Sequence, residues 1–153
     1  MQPLRTQLTQ GVTPDRLALT LAVGTACSLL PFLGFTTLLN LGVGFWLRLN
    51  QPILQVVNYL LGAAQLALIL GYVRLGEFLW RAPAMPLSIP QLLRTFQADP
   101  VVFLSQFAWT GVHAATAWLL TAPFLILAVY HLTRPLLRRL APTRVPDPLS
   151  SSR

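Results

Sequence analysis

Five polar side chains stand out because they lie inside or beside long apolar stretches of the sequence. Asn40, Asn58, Gln65 and His113 lie within these stretches, and Arg48 separates the first stretch from the second. Amides and imidazoles donate and accept hydrogen bonds, and a guanidinium can bind a phosphate through two parallel hydrogen bonds. Because such groups are costly when they face lipid, they predict a polar site for a small solute or an anionic lipid headgroup.

The polar residues of these stretches recur at helical spacing, three or four residues apart. Three sets share this spacing: Thr36, Asn40, Gly44 and Arg48; Gln51, Gln55, Asn58, Gly62 and Gln65; Gln106, Thr110, His113, Ala117 and Thr121. Each set lies on one face of a helix, which we expect to face the interior of a helix bundle. Two interpretations remain open. The faces either line a ligand cavity or hold the helices together through hydrogen bonds worth about 0.6 kcal/mol each.

The sequence contains no recognisable catalytic or metal-binding machinery. It has no carboxylate pair, no nucleophile elbow and no phosphate-binding glycine loop. His113 and His131 would stand about 27 Å apart along one helix, which is too far for a shared metal ion. The single cysteine, Cys27, excludes a cysteine-based metal site. We therefore expect no catalytic residue, no metal and no cofactor, and an enzyme is the least favoured class.

The composition is that of a membrane protein. Hydrophobic residues make up 54% of the chain and charged residues 10%, whereas soluble domains are about a quarter charged. Residues 17–47, 49–73 and 100–133 contain no charge, and each stretch exceeds the roughly 20 residues that cross a bilayer. The 11 basic residues flank these stretches, which favours topology signals and anionic-lipid contacts over a nucleic-acid partner.

The first apolar stretch, residues 17–47, is interrupted by Pro31 and Gly34, which should break a helix. Each half would be only about 20 Å long, too short to cross. The stretch is therefore either one kinked span or a re-entrant hairpin that turns at Pro31 and Gly34. A hairpin places eight arginines with both termini and three in the loop after the second stretch, whereas a span gives five against six. The positive-inside rule favours the hairpin, with both termini cytoplasmic.

The remaining elements follow from helix start signals. A helix beginning near Pro52 is predicted to continue to Trp80, a short interfacial helix follows Ser88, and a long helix runs from Asp99-Pro100 to about Leu140. The sequence thus predicts an all-α integral membrane protein with a re-entrant helical hairpin (17–47), two transmembrane helices and a short interfacial helix. Residues 1–140 would form a single membrane domain, and residues 141–153 a disordered basic tail.

Five short segments resemble a known bacterial family. These are residues 31–37 (PFLGFTT), 47–52 (LRLNQP), 58–59 (NY), 74–77 (RLGE) and 134–137 (RPLL). Over roughly residues 13–140 the chain resembles the family called domain of unknown function two-zero-six-two. The resemblance implies a small protein of the bacterial inner membrane without an established activity. Some relatives are joined to glycosyltransferase-type domains, which implies lipid-linked substrates. Many also carry proline soon after the counterpart of Asn58, where this chain has Tyr59.

Two functional hypotheses follow. The first is a transport or lipid-handling protein with a polar cavity between hairpin and spans, with an anionic phospholipid or a polyprenyl-phosphate as partner besides the bilayer. The second is a non-catalytic scaffold that binds a membrane partner protein or a second copy of itself. A water-accessible cavity reaching Asn40 and Asn58 would favour the first. A tightly packed interior with an exposed glycine and alanine face would favour the second.

Overall fold

The computed structural model describes residues 13–86 and 88–140, so the predicted tail, residues 141–153, lies outside the described part. Within these ranges the chain forms six α-helices and no strand. The helices are α1 (Pro14–Ser28), α2 (Phe35–Trp46), α3 (Gln51–Leu60), α4 (Gly62–Trp80), α5 (Ile89–Ala98) and α6 (Pro100–Leu140). The all-α expectation is therefore confirmed for the described residues.

Helices α1 and α2 form a helical hairpin. The hydroxyl of Thr13 caps α1 by accepting the Arg16 N–H at 3.3 Å, and Pro14 occupies the first turn. Gly34 precedes α2 with φ at 86°, a left-handed conformation that glycine adopts without steric cost. At the other end, Nη1 of Arg16 donates to the Leu47 carbonyl at 3.2 Å. The start of α1 and the end of α2 therefore lie side by side.

The expectation of one helix from Pro52 to Trp80 is wrong, because the chain breaks at Leu61. Helix α3 ends at Leu60, and α4 begins at Gly62. The two helices pack on different partners: α3 contacts α1 and α2, whereas α4 packs mainly on α6. Gly62 has the lowest helix propensity of any residue but proline, so an interruption of the helix there is inexpensive. The candidate membrane span is therefore α4, not the whole second stretch.

Helix α6 is the longest element and the one against which α1 and α4 pack most extensively. The Asp99 carboxylate caps its start by accepting the N–H groups of Val101 and Val102, both at 3.0 Å. Pro123 lies inside the helix without ending it. Trp118 donates its indole N–H to the Ala26 carbonyl at 2.8 Å, which fixes α6 against α1. In the described part, α4 and α6 are the two helices long and apolar enough to cross a membrane.

The interior is built from small and polar residues, and the surface from bulky apolar ones. Apart from a few larger apolar residues, the buried positions are alanine, glycine and polar side chains, including Thr20, Ser28, Asn40, Asn58 and Gln65. Leu, Phe and Trp side chains dominate the exposed surface of α2, α4 and α6. This distribution is the reverse of that expected for a protein in water.

Glycines allow the first three helices to approach closely. Leu54 of α3 is fully buried and packs against both Gly24 of α1 and Gly44 of α2. A Cβ on Gly24 would lie 2.9 Å from the Leu54 side chain, and a Cβ on Gly44 would meet Leu54 and Gln51. Small residues therefore form the contact surface of the hairpin with α3, as is common where membrane helices meet.

We expect Gly34→Ala to destabilise the protein by about 1–2 kcal/mol, because alanine is strained at positive φ. Space is not the cause, since a Cβ on Gly34 would meet nothing within 4 Å. Gly42→Ala is the matched control: Gly42 lies in α2, is equally open and has no positive φ. Thermal unfolding of the purified variants in detergent measures the difference. Equal midpoints for the two variants would show that the turn needs no glycine.

Candidate functional site

The first group of predicted site residues forms a buried cluster that joins three helices. Asn40 has no exposed surface, and its Nδ2 donates to the Ser28 hydroxyl at 3.2 Å and to the Thr36 carbonyl at 2.9 Å. The same Nδ2 lies 3.4 Å from Oδ1 of Asn58, whose own amide donates to the Thr37 hydroxyl at 3.1 Å. The cluster therefore links α1, α2 and α3 through side-chain hydrogen bonds.

Gln65 of α4 is bonded to the turn of the hairpin. Its Nε2 donates to the carbonyl of Leu30 at 2.8 Å and lies 3.5 Å from that of Phe32. Carbonyls that follow the end of a helix have no partner within the helix, so a side-chain amide is well suited to satisfy them. Pro31 is buried in this turn, and Gly34 is exposed. Gln65 thus ties α4 to the two residues that flank Pro31 in the hairpin turn.

Several buried polar atoms on the α3 side of the hairpin have no hydrogen-bond partner among the described residues. They are Oδ1 of Asn40, Oε1 of Gln51 and both amide atoms of Gln55. A buried polar atom without a partner costs roughly 1–3 kcal/mol. The interface between α2 and α3 therefore has hydrogen-bonding capacity that the described protein groups leave unused.

Arg48 is exposed and holds an unusual backbone conformation at the end of α2. Its φ is 53°, in the left-handed region that glycine normally occupies. Its N–H donates to the Phe45 carbonyl at 3.2 Å, and the Leu49 N–H donates to Gly44 at 2.8 Å. These two bonds define a Schellman motif with arginine in the position after the helix. Arg81 ends α4 in the same way, with φ at 50°.

Arginines gather where α1 begins, α2 ends and α6 ends, a region we call the hairpin mouth. Its five arginines are Arg16, Arg48, Arg134, Arg138 and Arg139. Asp15 is the one acidic residue of the mouth within the described chain, and Arg134 and Arg138 both donate to it at 2.8–3.0 Å. Hydrogen bonds from these two guanidinium groups lower the pKa of Asp15 to about 2. Asp15 therefore stays ionised at neutral pH, and the mouth keeps a net positive charge.

His113 lies apart from the amide cluster, on the side of α6 that faces the segment after α4. Its ring stacks on Trp80 at 5.3 Å and lies 6.3 Å from Trp109. It lines a cavity of about 400 Å³ together with residues 82–86. The expectation that Gln106, two turns earlier on the same helix face, is turned inward is wrong: it is exposed and lines this cavity. Residues 82–86 form one wall of this cavity, and the face of α6 that carries Gln106 stays exposed.

Glu77 anchors this segment and shows a role that its sequence context did not predict. One carboxylate oxygen of Glu77 forms an ion pair with Arg74 at 2.7 Å. The other carboxylate oxygen accepts the backbone N–H of Met85 at 2.7 Å, and Glu77 is 5% exposed. The buried carboxylate thus fixes the course of residues 82–86 beside His113. A carboxylate within an apolar segment predicts that some group will pair with it. The sequence does not indicate which backbone group that partner is.

The five predicted binding residues therefore occupy four places. Asn40 and Asn58 are in contact, Gln65 lies at the hairpin turn, Arg48 lies at the mouth, and His113 lies at its own cavity. Two further cavities, of about 700 and 460 Å³, lie beside Glu77 and between α1 and α6. None of the three cavities is lined by Asn40, Asn58 or Gln65. Their roles in ligand binding remain predictions. Among the described residues, no group of three His, Cys, Asp or Glu side chains could hold a metal ion.

The fold and these clusters define the class: an all-helical protein with two helices long and apolar enough to cross a membrane. The chain belongs to a bacterial family described as "Uncharacterized protein conserved in bacteria (DUF2062)", whose model matches residues 3–145. The resemblance seen in the sequence is thereby confirmed. No curated protein and no solved structure was found to match the chain. The family description assigns no activity, so the function must be argued from the structure.

Proposed function

We propose that the protein is a multi-pass protein of the bacterial inner membrane that holds an anionic lipid headgroup at the hairpin mouth. In this proposal α4 and α6 cross the bilayer, and α1 and α2 form a re-entrant hairpin. Helix α5 lies in the interface on the opposite side, and both termini are cytoplasmic. The ligand is an anionic phospholipid or a polyprenyl-phosphate, which share a phosphate group. Transport of that lipid is a further step that the same site would serve.

The distribution of residues supports the membrane location. Monomeric soluble proteins rarely expose contiguous apolar patches larger than a few hundred Å². Here Leu, Phe and Trp cover much of the surface, and examples include Trp46 at 81% exposure and Phe124 at 74%. Meanwhile Asn40 and Ser28 are fully buried. Lipid reverses the usual rule, since apolar side chains are stable in the bilayer and polar ones must find partners inside the bundle.

The lengths of α1 and α2 support the re-entrant arrangement. Their 15 and 12 residues correspond to about 22 and 18 Å, short of the roughly 30 Å of a hydrocarbon core. The hydrogen bond between Arg16 and the Leu47 carbonyl joins their outer ends. A hairpin that enters and returns on one side meets both conditions. Gln65 and the buried amides would satisfy the irregular backbone at its tip, as membrane depth requires.

The arginine excess at the hairpin mouth is the observation that carries the headgroup proposal. The mouth contains five arginines and, among the described residues, one carboxylate, which is already bonded to two of them. Topology alone requires positive charge but no particular backbone conformation. Arg48 nevertheless occupies a left-handed position that costs an arginine roughly 1–2 kcal/mol relative to glycine. Arg81 ends α4 in the same conformation, so the conformation alone does not mark a binding residue, and the excess of arginines at the mouth carries the proposal.

We expect Arg48→Gln to weaken phosphate-headgroup binding by at least about tenfold, because a charge-assisted hydrogen bond contributes roughly 1.5–3 kcal/mol. Arg48→Lys should also weaken binding, since a lysine cannot form the bidentate contact. The measurement is a titration of purified protein in detergent, followed by native mass spectrometry. Separate arms use dioleoyl phosphatidylglycerol and undecaprenyl phosphate, which distinguish the two lipid sources.

Arg81→Gln is the matched control for this titration. Arg81 shares the left-handed conformation and the Schellman motif of Arg48 but ends α4, away from the hairpin mouth. The proposal predicts that Arg81→Gln binds both lipids as the parent does. If Arg48→Gln and Arg48→Lys bind both lipids as tightly as the parent, the headgroup site is wrong and the scaffold alternative is preferred.

One specific observation favours the scaffold alternative. Ala63, Ala67 and Gly71 lie at intervals of four on the exposed surface of α4, and a Cβ on Gly71 would meet nothing within 4 Å. Small residues at this interval allow membrane helices to associate closely. The bonded amide cluster also fits a packed interior. In this alternative, α4 binds a membrane partner or a second copy of the chain, and the lipid titration shows no dependence on Arg48.

A further inference from the structure

A groove between α1 and α6 opens onto the hairpin mouth. It has a volume of about 460 Å³ and is lined by the start of α1 and by one and a half turns of α6. Hydrogen bonds hold the two helices together at both ends of the groove. Trp118 bonds to Ala26 at its inner side, and Asp15 bonds to Arg134 and Arg138 at its outer side. The groove therefore belongs to the most extensive helix contact in the protein and does not depend on a loop.

The groove changes from polar to apolar along the helix axes. At the outer end lie Arg16 and Tyr130. One turn further inward on the same helices lie Leu19 of α1 and Ile126 and Leu127 of α6. Leu19 and Ile126 are partly buried against the apolar core, whereas Leu127 is 55% exposed. A cationic end followed directly by an apolar channel matches a lipid, which has a phosphate attached to its chains.

The charges at the outer end favour an anionic occupant. Asp15 also borders the groove, but its two oxygens accept three hydrogen bonds from Arg134 and Arg138. The Arg16 guanidinium makes one described hydrogen bond, to the Leu47 carbonyl, which leaves further N–H groups for a ligand. Arg134 stacks over the Tyr130 ring at 5.6 Å. The outer end of the groove has three arginines, Arg16, Arg134 and Arg138, and one carboxylate, Asp15, whose charge the last two neutralise. This end is therefore complementary to a phosphate.

We infer that this groove is a binding site for one anionic glycerophospholipid. The phosphate binds Arg16 beside the Tyr130 hydroxyl, and an acyl chain lies along Leu19, Ile126 and Leu127. This inference rests on the proposed function, because it takes α6 to cross the bilayer and the mouth to meet the headgroups. The inference locates the acyl chain of the lipid and makes Arg16 a second phosphate-binding arginine. Arg16 donates to the carbonyl of Leu47, the residue before Arg48.

The test blocks the channel without removing a charge. Leu127→Trp should fill the groove and lower the affinity for dioleoyl phosphatidylglycerol by about tenfold, the effect of losing most of one chain contact. Leu120→Trp is its matched control, since Leu120 lies two turns earlier on α6 and is 59% exposed but does not line the groove. Arg16→Gln provides an independent variant, with Arg94→Gln of α5 as control. Binding is measured by native mass spectrometry on the full chain, with phosphatidylcholine of the same chains for comparison.

The outcomes separate this inference from the proposed function. Weaker phosphatidylglycerol binding by Leu127→Trp and Arg16→Gln, with both controls unchanged, supports the groove. Parent-like affinity in Leu127→Trp overturns it, and if Arg48→Gln still weakens binding, the headgroup function stands without the groove. Should Leu127→Trp not fold, parent-like affinity in Arg16→Gln overturns the inference alone. A parent protein that binds phosphatidylcholine as tightly as phosphatidylglycerol contradicts the groove, and if it also fails to bind undecaprenyl phosphate, it contradicts the proposed function as well.

Discussion

Replacing Gly76 by alanine is expected to prevent the normal packing of α4 against α6. A Cβ on Gly76 would meet the backbone carbonyl of His113 and would lie 2.8 Å from the backbone nitrogen of Ala114. A flexible side chain could move away, but these are backbone atoms of a 41-residue helix. The two helices would have to separate, so the loss of stability should reach or exceed the roughly 1–3 kcal/mol typical of overpacked cores.

Gly71→Ala provides the control for Gly76→Ala on the same helix. A Cβ on Gly71 would meet nothing within 4 Å, so this variant should match the parent or gain up to roughly 1 kcal/mol from better helix propensity. The measurement is the yield of monodisperse protein in detergent and its thermal unfolding midpoint. Similar midpoints for the two variants would contradict the close contact between Gly76 and His113, and with it the placement of α4 on α6.

Local signals in the sequence predicted the elements that have clear ends. Asp99 and Pro100 predicted the start of α6, and the helix does run from Pro100 to Leu140. Pro31 and Gly34 predicted the interruption between α1 and α2, where Gly34 adopts the left-handed conformation. Caps and breakers act through the backbone of a few neighbouring residues, so a short segment of sequence contains the necessary information.

Helical spacing predicted much of the buried polar cluster, but not its partners. Asn40, Asn58 and Gln65 were expected to face inward, and each is at most 7% exposed. That Asn40 bonds to Ser28, or Gln65 to the hairpin turn, depends on how the helices approach each other. Spacing defines a face of one helix and carries no information on which helix covers it.

The features that sequence reasoning missed depend on tertiary contacts. The helix is interrupted at Leu61 without a proline, at the point where α3 ends and α4 begins to pack on a different helix. The bond from the Met85 N–H to Glu77 joins a backbone group to a residue eight positions earlier. The groove between α1 and α6 combines residues more than 100 positions apart. No local pattern could have indicated these three features.

The re-entrant hairpin is expected to place residues 13 and 52 on one side of the membrane and residue 97 on the other. This follows from the bond between Arg16 and the Leu47 carbonyl, which holds the ends of α1 and α2 together. Thr13, Pro52 and Gln97 are exposed and uncharged, so single cysteines there leave the arginine distribution unchanged. Cys27 is buried and is first replaced by serine. Each variant is then treated in intact cells with a membrane-impermeant maleimide.

This labelling measurement tests the central claim directly, because a hairpin and a span differ in the side on which α1 begins. The account predicts that the cysteine at 97 reacts in intact cells, and that those at 13 and 52 react only after the membrane is permeabilised. Arg48 and the hairpin mouth would then face the cytoplasm. If the cysteine at 13 reacts on the same side as that at 97, with 52 on the other, residues 17–47 cross the membrane and the hairpin is wrong.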